Sequence, residues 1–527
     1  MRKKFIDIVK NIDYPYTSAI VNNERIGFLD EVEENSKYEL IKIDDMEGMR
    51  TYERTLTFLI SYIFNEFYNL KIEIKHSFGD AIYAEVQGKN NIEEIIPKIK
   101  EEMNNLIKKD ITIKKLTLRK EEASDLLFKA NSNYEPKLIK YLSKDTLNLY
   151  SINNYYSYFL GPLLPKTGMI KVFDITPFKS GFLIILPDKK NFYKLGKINK
   201  SKKLFSTFEE SKKWACSLGI KYAGDLNEKI VKNEIIELIL SQEALHEKKI
   251  AEISEMIRKK NSKLILISGP TSSGKTTLSK KLKIYLKVLG FNSISISTDD
   301  YFFDRDKTPK RENGEPDYES INAIDLNLLQ KHLDLLIDNQ SIDLPKFNFA
   351  TGKQEIGEKI IPQKNSIIII EGLHSINPVL TERIKDSLKF KIYISPLTQI
   401  NFDNLNRIPT RDVRLIRRIV RDNVFRKITP KETIKKWSDV IAGEEKNIFP
   451  FQDEVDIMFN SSLFYELPVL KFFAEKDLMS IENIDKEYYK ASILINFLQH
   501  FTSLSDDYVP STSILREFIG GGLIDAQ

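Results

Sequence analysis

"LILISGPTSSGKTTLSKKLKIYL", residues 264–286, decides the architecture of this 527-residue chain. An apolar run stops at a glycine, passes through small residues, and resumes as a lysine-rich amphipathic stretch. Residues Gly269, Pro270, Thr271, Ser272, Ser273, Gly274, Lys275 and Thr276 match G-x-x-x-x-G-K-[ST] at every position, with Thr277 following. The physics is specific. A strand brings the chain to a sheet edge, and the glycines let backbone N–H groups turn inward around an anion. The helix that follows points its positive end at the same place. Lys275 then faces the β- and γ-phosphates of a nucleoside triphosphate, and the Thr276 hydroxyl faces Mg²⁺. ATP and Mg²⁺ are therefore the expected cofactors.

Working outward, "NSISISTDDYFFD" delivers Asp299 and Asp300 to the end of the next strand, where an open α/β sheet holds its ligands. A hydroxyl acceptor needs a base at its oxygen, although a water-using ATPase also positions a carboxylate. "NSIIIIEGLHSINP" reads as a central strand tipped by Glu371, a second candidate holder of the metal beside Thr276. In "RIPTRDVRLIRRIVRDNVFRK", Arg414, Arg417, Arg418 and Arg421 fall at i, i+3, i+4 and i+7 and share a helix face. Such a stripe either faces water or forms a cationic lid over a transferring phosphoryl group. After a phosphate loop and two acid-tipped strands, we read it as the lid.

These motifs, with "PDYESINAIDLNLL" between them, resemble in content and order the uridine kinase and phosphoribulokinase branch of P-loop kinases. The resemblance implies Asp299 as the general base and Glu319 as the carboxylate gripping ribose hydroxyls. It implies Arg414 and Arg417 as lid arginines acting beside Lys275. Asp300, Tyr301, Phe302, Phe347 and Lys353 are placed around the acceptor. Family members read a pyrimidine with a tyrosine and a histidine in the stretch that here is "PKFNFATGK". Those positions are Phe347 and Gly352, so aromatic faces survive while the polar edge contacts are gone or moved, with Asn348 and Lys353 as candidates. The implied reaction is ATP-dependent phosphorylation of a nucleoside-like hydroxyl, as in uridine or cytidine kinases. Two alternatives stay open: a kinase for a non-nucleoside alcohol or sugar, and a nucleotide-gated RNA- or tRNA-binding protein.

The first half reads differently. "TSAIVNNERIGF" marks a hairpin around Asn22–Asn23. "YERTLTFLISYIFNEFY" has helical periodicity, and strand-like "LKIEIKH" and "AIYAEV" follow. Residues 150–190 read as a sheet with long loops. This half resembles the N-terminal and editing regions of threonyl-tRNA synthetase. That region carries a helical H-x-x-x-H pair and a later cysteine and histidine; here the matching positions are Arg54, Phe58, Phe159 and Leu163, so the resemblance implies no hydrolytic metal site. The lone His76 reads as a surface or hydrogen-bonded residue, and Cys216 as a core residue ending a short helix.

The expected fold class is multidomain α/β and α+β. It comprises a β-grasp-like module at 1–48, an editing-like α+β domain at 49–224 and a helical connector at 225–262. A P-loop kinase with a parallel sheet follows at 263–475, then a helical extension and tail at 476–527. The tail "VPSTSILREFIGGG" reads equally as a docked strap or a loose end. Lys+Arg total 80 against Asp+Glu 75, a net +5, too balanced to argue for nucleic acid. The lysines of 104–120 and 194–203 form either an RNA-facing patch or a solvated surface. A single cysteine excludes an intrachain disulfide framework and fits a reducing compartment. With no apolar run long enough to span a bilayer and no signal-peptide core, the expectation is a cytoplasmic protein without membrane contact. The resemblance leaves room for a homo-oligomer.

Overall fold

The computed structural model describes residues 2–9, 12–88, 91–129, 134–199, 201–311, 314, 316–348 and 351–524. Five parallel strands form the sheet of the C-terminal half, in the spatial order Asn292–Ser297, Ser366–Glu371, Leu264–Ser268, Lys389–Ser395 and Ile457–Asn460. Leu264–Ser268 is buried along its whole length, as expected of a strand covered on both faces. Pairing register positions the chemistry. Glu371 lies opposite both Ile267 and Ser297, so the loop after Ser268, the turn after Ser297 and the tip of Ser366–Glu371 meet at one sheet edge. Helix Lys275–Val288 packs beside these strands, and Leu326–Ile337 joins their apolar cluster through Leu329, Leu333 and Leu336.

The N-terminal half is built on antiparallel sheets. Tyr16–Val21 pairs with Glu24–Ile26 through a hairpin whose Asn22 and Asn23 both have positive φ, 50° and 61°, the left-handed pair that a two-residue turn needs. A four-stranded sheet runs Asp174–Phe178, Gly181–Ile185, Ala81–Val86, Ile72–Phe78. Across it packs the 23-residue helix Met46–Tyr68. Asp45 caps that helix by accepting from Glu47 N at 2.7 Å and Gly48 N at 3.3 Å, and a left-handed Asn69 ends it. Between the halves, residues 223–260 form two helices, Ala223–Val231 and Ile235–Lys260, with a left-handed Asn233 in the break.

The halves are joined by more than the chain. The segment after Lys389–Ser395 reaches into the N-terminal half. Asn404 O accepts from Ile74 N at 2.8 Å, Asn401 Nδ2 donates to Ile74 O at 2.7 Å, and Asn406 Nδ2 donates to Tyr158 O at 2.8 Å. Two expectations change here. Cys216 sits in helix Lys202–Ser217 but is exposed, because its side chain falls outside the buried face carried by Leu204, Phe208, Ser211 and Ala215. His76 is half-buried: it stacks on Phe208 with ring centroids 3.7 Å apart, and burial lowers its pKa well below the usual imidazole value. The tail is a docked strap, with Ile514, Leu515 and Phe518 buried in the core of the C-terminal half. Among the described residues, no helix is long and apolar enough to cross a membrane.

Candidate active site

The phosphate loop starts at the end of Leu264–Ser268. Gly274 has φ +92°, and a Cβ there would lie 2.5 Å from Ile514 Cδ1 of the docked tail. Conformation and space both demand glycine. Lys275 Nζ donates to the carbonyls of Gly269 at 2.8 Å and Pro270 at 3.2 Å, so the ammonium folds back over its own loop. Burial lowers its pKa, opposed by the carboxylates of Glu371 and Asp299. Thr276 Oγ1 is 3.4 Å from Glu371 Oε1. Glu517, from the tail, accepts from Thr277 N at 3.0 Å and Thr277 Oγ1 at 2.6 Å. The sequence contains no local signal for that contact, because the partners are 240 residues apart.

Asp299, Glu371 and Glu319 gather around Lys275. Burial raises the Asp299 pKa, while Lys275, Arg426 and Arg421 draw it down. Burial and the Asp299 charge push Glu371 up to about 7. Burial and the neighbouring Glu444 push Glu319 up to about 7, with Arg418 opposing. Lys275 draws both down without overcoming burial. Thr276 and Glu371 offer hard oxygen donors of the kind Mg²⁺ takes beside water and phosphate oxygens. Among the described residues no group of three or more His, Cys, Asp or Glu could cage a metal by itself.

Several sequence-predicted residues take other places. Arg414 and Arg417 are only 1% and 0% exposed. Arg414 forms a two-pronged pair with Glu444, at 2.6 and 2.7 Å. Arg417 is held by Glu466 at 2.7 Å and by Ser461 O at 2.9 Å. They are struts under the phosphate loop, touching it through the carbonyls of Thr271 at 3.5 Å and Ser272 at 3.4 Å, and not the mobile cover read from periodicity. Helix Thr410–Arg426 is buried on more than one side, so a shared face did not mean a solvent face. The cations that act on the carboxylates are Arg418, Arg421 and Arg426. Arg418 and Arg421 were legible as part of the stripe; Arg426, one turn beyond it, was missed.

Tyr301 packs into the interior. It is fully buried, and its hydroxyl lies 3.0 Å from His332 Nδ1 in helix Leu326–Ile337. Asp300 supports the neighbouring hairpin, accepting from Phe347 N at 3.4 Å. Phe302 and Phe347 meet edge to face, centroids 5.7 Å apart. Asn348 is committed within its hairpin, donating to Glu355 at 2.9 Å and accepting from Thr351 N at 3.2 Å. Lys353 is exposed at the hairpin start. Glu319 lies against helix Trp437–Asn447, where Asn447 Nδ2 donates to its carbonyl at 2.7 Å.

In the N-terminal half the four positions expected to lack metal ligands form a packed cluster. Phe58 and Phe159 meet edge to face at 6.0 Å, Leu163 is buried, and Arg54 Nε donates to Pro162 O at 3.2 Å.

A family model described as "Phosphoribulokinase / Uridine kinase family" matches residues 264–463. The chain is 30% identical over 177 residues to a uridine kinase of Clostridium perfringens, covering 33% of this chain and 75% of that protein. It is 28% identical over 193 residues to a uridine kinase of Halobacterium salinarum, covering 36% of this chain and 77% of that one. A threonine–tRNA ligase of Thermotoga petrophila is 28% identical over 162 residues, in the N-terminal region. That match covers 30% of this chain and 25% of the ligase, so the chain spans about a quarter of that relative's length. The solved structure of a possible uridine kinase from Bacillus stearothermophilus covers 40% of this chain and 100% of its own, at 17% identity and a TM-score of 0.28.

Proposed function

Because the chain belongs to the phosphoribulokinase/uridine kinase family, we propose that it transfers the γ-phosphoryl group of ATP to a hydroxyl of a nucleoside-like small molecule. That it is a P-loop phosphotransferase acting on a small-molecule alcohol follows from the family; the nucleoside acceptor is our reading. One observation carries it. The register of the parallel sheet gathers a phosphate loop, Asp299 and Glu371 at a single carboxyl edge.

In this reading the loop amides and Lys275 hold the triphosphate. Mg²⁺, held by the Thr276 hydroxyl and the Glu371 carboxylate, would supply positive charge to the phosphate oxygens. Asp299 accepts the proton of the acceptor hydroxyl as its oxygen bonds to the γ-phosphorus and the bond to the bridging oxygen of ADP breaks. Glu319 orients sugar hydroxyls, and Phe302 with Phe347 offers an apolar wall for a flat group. Arg418, Arg421 and Arg426 offset the charge of Asp299 and Glu319, so that the anionic triphosphate can approach them.

A panel of acceptors with γ-labelled ATP tests the reading. Pyrimidine nucleosides are expected to yield a labelled 5′-monophosphate at rates far above simple sugars. A non-nucleoside alcohol is the second reading, supported by the commitment of Asn348 to its own hairpin, which leaves few polar groups to read a base. If a non-nucleoside alcohol outpaces every nucleoside, the nucleoside reading is wrong.

A further inference from the structure

A cavity of about 80 Å³ lies where the two halves meet, between helix Met46–Tyr68 and the segment 402–412. Its walls carry Arg25, Arg50, Arg54 and Arg407, against the carboxylates of Glu47, Glu53 and Asp412. Behind them Lys490 reaches Glu47 and Asp412, each at 3.1 Å. Four lining arginines thus face three lining carboxylates, with Lys490 and Asp45 offsetting each other behind them, which leaves the partly enclosed space net positive.

The pairing scheme shows where the surplus resides. Glu47 pairs with Arg25 and, at 2.7 Å, with Arg50; Asp412 takes Arg50 at 2.8 Å. Glu53 takes Arg407 at 3.2 Å. Among the described residues Arg54 has no carboxylate partner. Its Nε and Nη2 donate to Pro162 O and Thr51 Oγ1, both at 3.2 Å. Arg407 Nε is buried without a partner. Arg54 also sits beside a like charge. A Cβ on Gly161 would lie 2.7 Å from both Arg25 Nη2 and Arg54 Cζ, so two guanidinium groups converge over one glycine. Burial and the charges of Arg25 and Arg50 lower the Arg54 pKa to about 9. Glu47 pairs with Arg25 and its charge also acts on Arg54, but among the described residues no carboxylate bonds Arg54 directly, and a forked donor so placed suits an incoming oxyanion.

We propose that this cavity binds a small dianion of the phosphate or phosphate-monoester class, held chiefly by Arg54 and Arg407, at the junction of the two halves and separate from the phosphate loop. Forked N–H donors match tetrahedral oxyanions, the net positive lining favours an anion, and the volume admits a phosphate with few further atoms.

The test is thermal unfolding of the full chain carrying Lys275→Met, which removes phosphate binding at the loop. Inorganic phosphate is titrated at constant ionic strength against chloride, with glycerol 3-phosphate as a monoester in a parallel arm. A saturable rise in Tm is expected with phosphate; a tighter response to glycerol 3-phosphate assigns the site to monoesters, and an equal or weaker one to free phosphate. Adding Arg54→Met should weaken the response at least tenfold while leaving the anion-free Tm unchanged or raised, since it removes a buried unpaired cation. Arg407→Gln, at the cavity rim, should weaken it in the same sense and decides the matter if Arg54→Met does not fold. A Tm that does not respond to either anion, or a response that survives both substitutions, overturns the proposal.

Discussion

Replacing Asp299 with asparagine keeps the shape of the side chain and removes its capacity to take a proton. A general base contributes about 10²–10⁴-fold to rate, which at ~1.4 kcal/mol per tenfold is ~2.7–5.5 kcal/mol of barrier. The structure confines the effect to that step. Lys275 keeps its bonds to Gly269 and Pro270, so KM for ATP should stay within about threefold. The fold should not suffer either. Burial raises the Asp299 pKa in the folded state, so its stabilising contribution is present below the ordinary carboxyl value and lost as pH rises through the raised one. At pH 7 the neutral amide therefore leaves Tm unchanged or higher. Asp299 is also the second cause, after burial, holding Glu371 near about 7, so the acid limb of the rate profile should move to lower pH. The assay is steady-state turnover of labelled ATP on the best acceptor from pH 5 to 9, beside a melting curve. A correctly folded Asp299→Asn enzyme with kcat within about threefold of the parent would refute the assignment of the base.

Three further outcomes are expected. Glu371 and Glu319 are each raised from 4.5 to about 7, so the stability they contribute is complete below pH 4.5 and lost as pH rises through about 7. Metal-free protein carrying Glu371→Gln should therefore gain in Tm over the parent across that window, with Mg²⁺ and ATP narrowing the gap; a constant offset would contradict it. Arg417→Met strands a buried Glu466 and should cost about 3–5 kcal/mol in urea unfolding, with much of it recovered by adding Glu466→Leu. A large fall in kcat without a fall in stability would instead put Arg417 against the substrate. Gly274→Ala meets both a φ of +92° and Ile514 Cδ1 at 2.5 Å, and should abolish nucleotide binding measured by equilibrium titration, while an alanine variant that binds normally would show that the loop and tail give way.

The sequence by itself determined what depends on neighbours along the chain. The glycines of 269–274 and the lysine and threonine after them specify a phosphate loop, because the turn, the helix start and the donors all lie within eight residues. Asn22–Asn23 specifies a hairpin for the same reason, and the apolar runs at 264–268 and 366–370 specify buried parallel strands. What only the tertiary structure decided is which charge meets which. Periodicity put Arg414 and Arg417 on one face, but Glu444 and Glu466, 30 and 49 residues away, take them into the interior. The Tyr301 hydroxyl finds its buried partner in His332, 31 residues on. Glu517 reaches the phosphate loop across 240 residues, and Arg54 donates to Pro162 O across 108 residues with no carboxylate bonded to it among the described residues. Backbone conformation follows from local sterics, whereas the partner of a buried charge is set by whichever distant segment packing brings beside it.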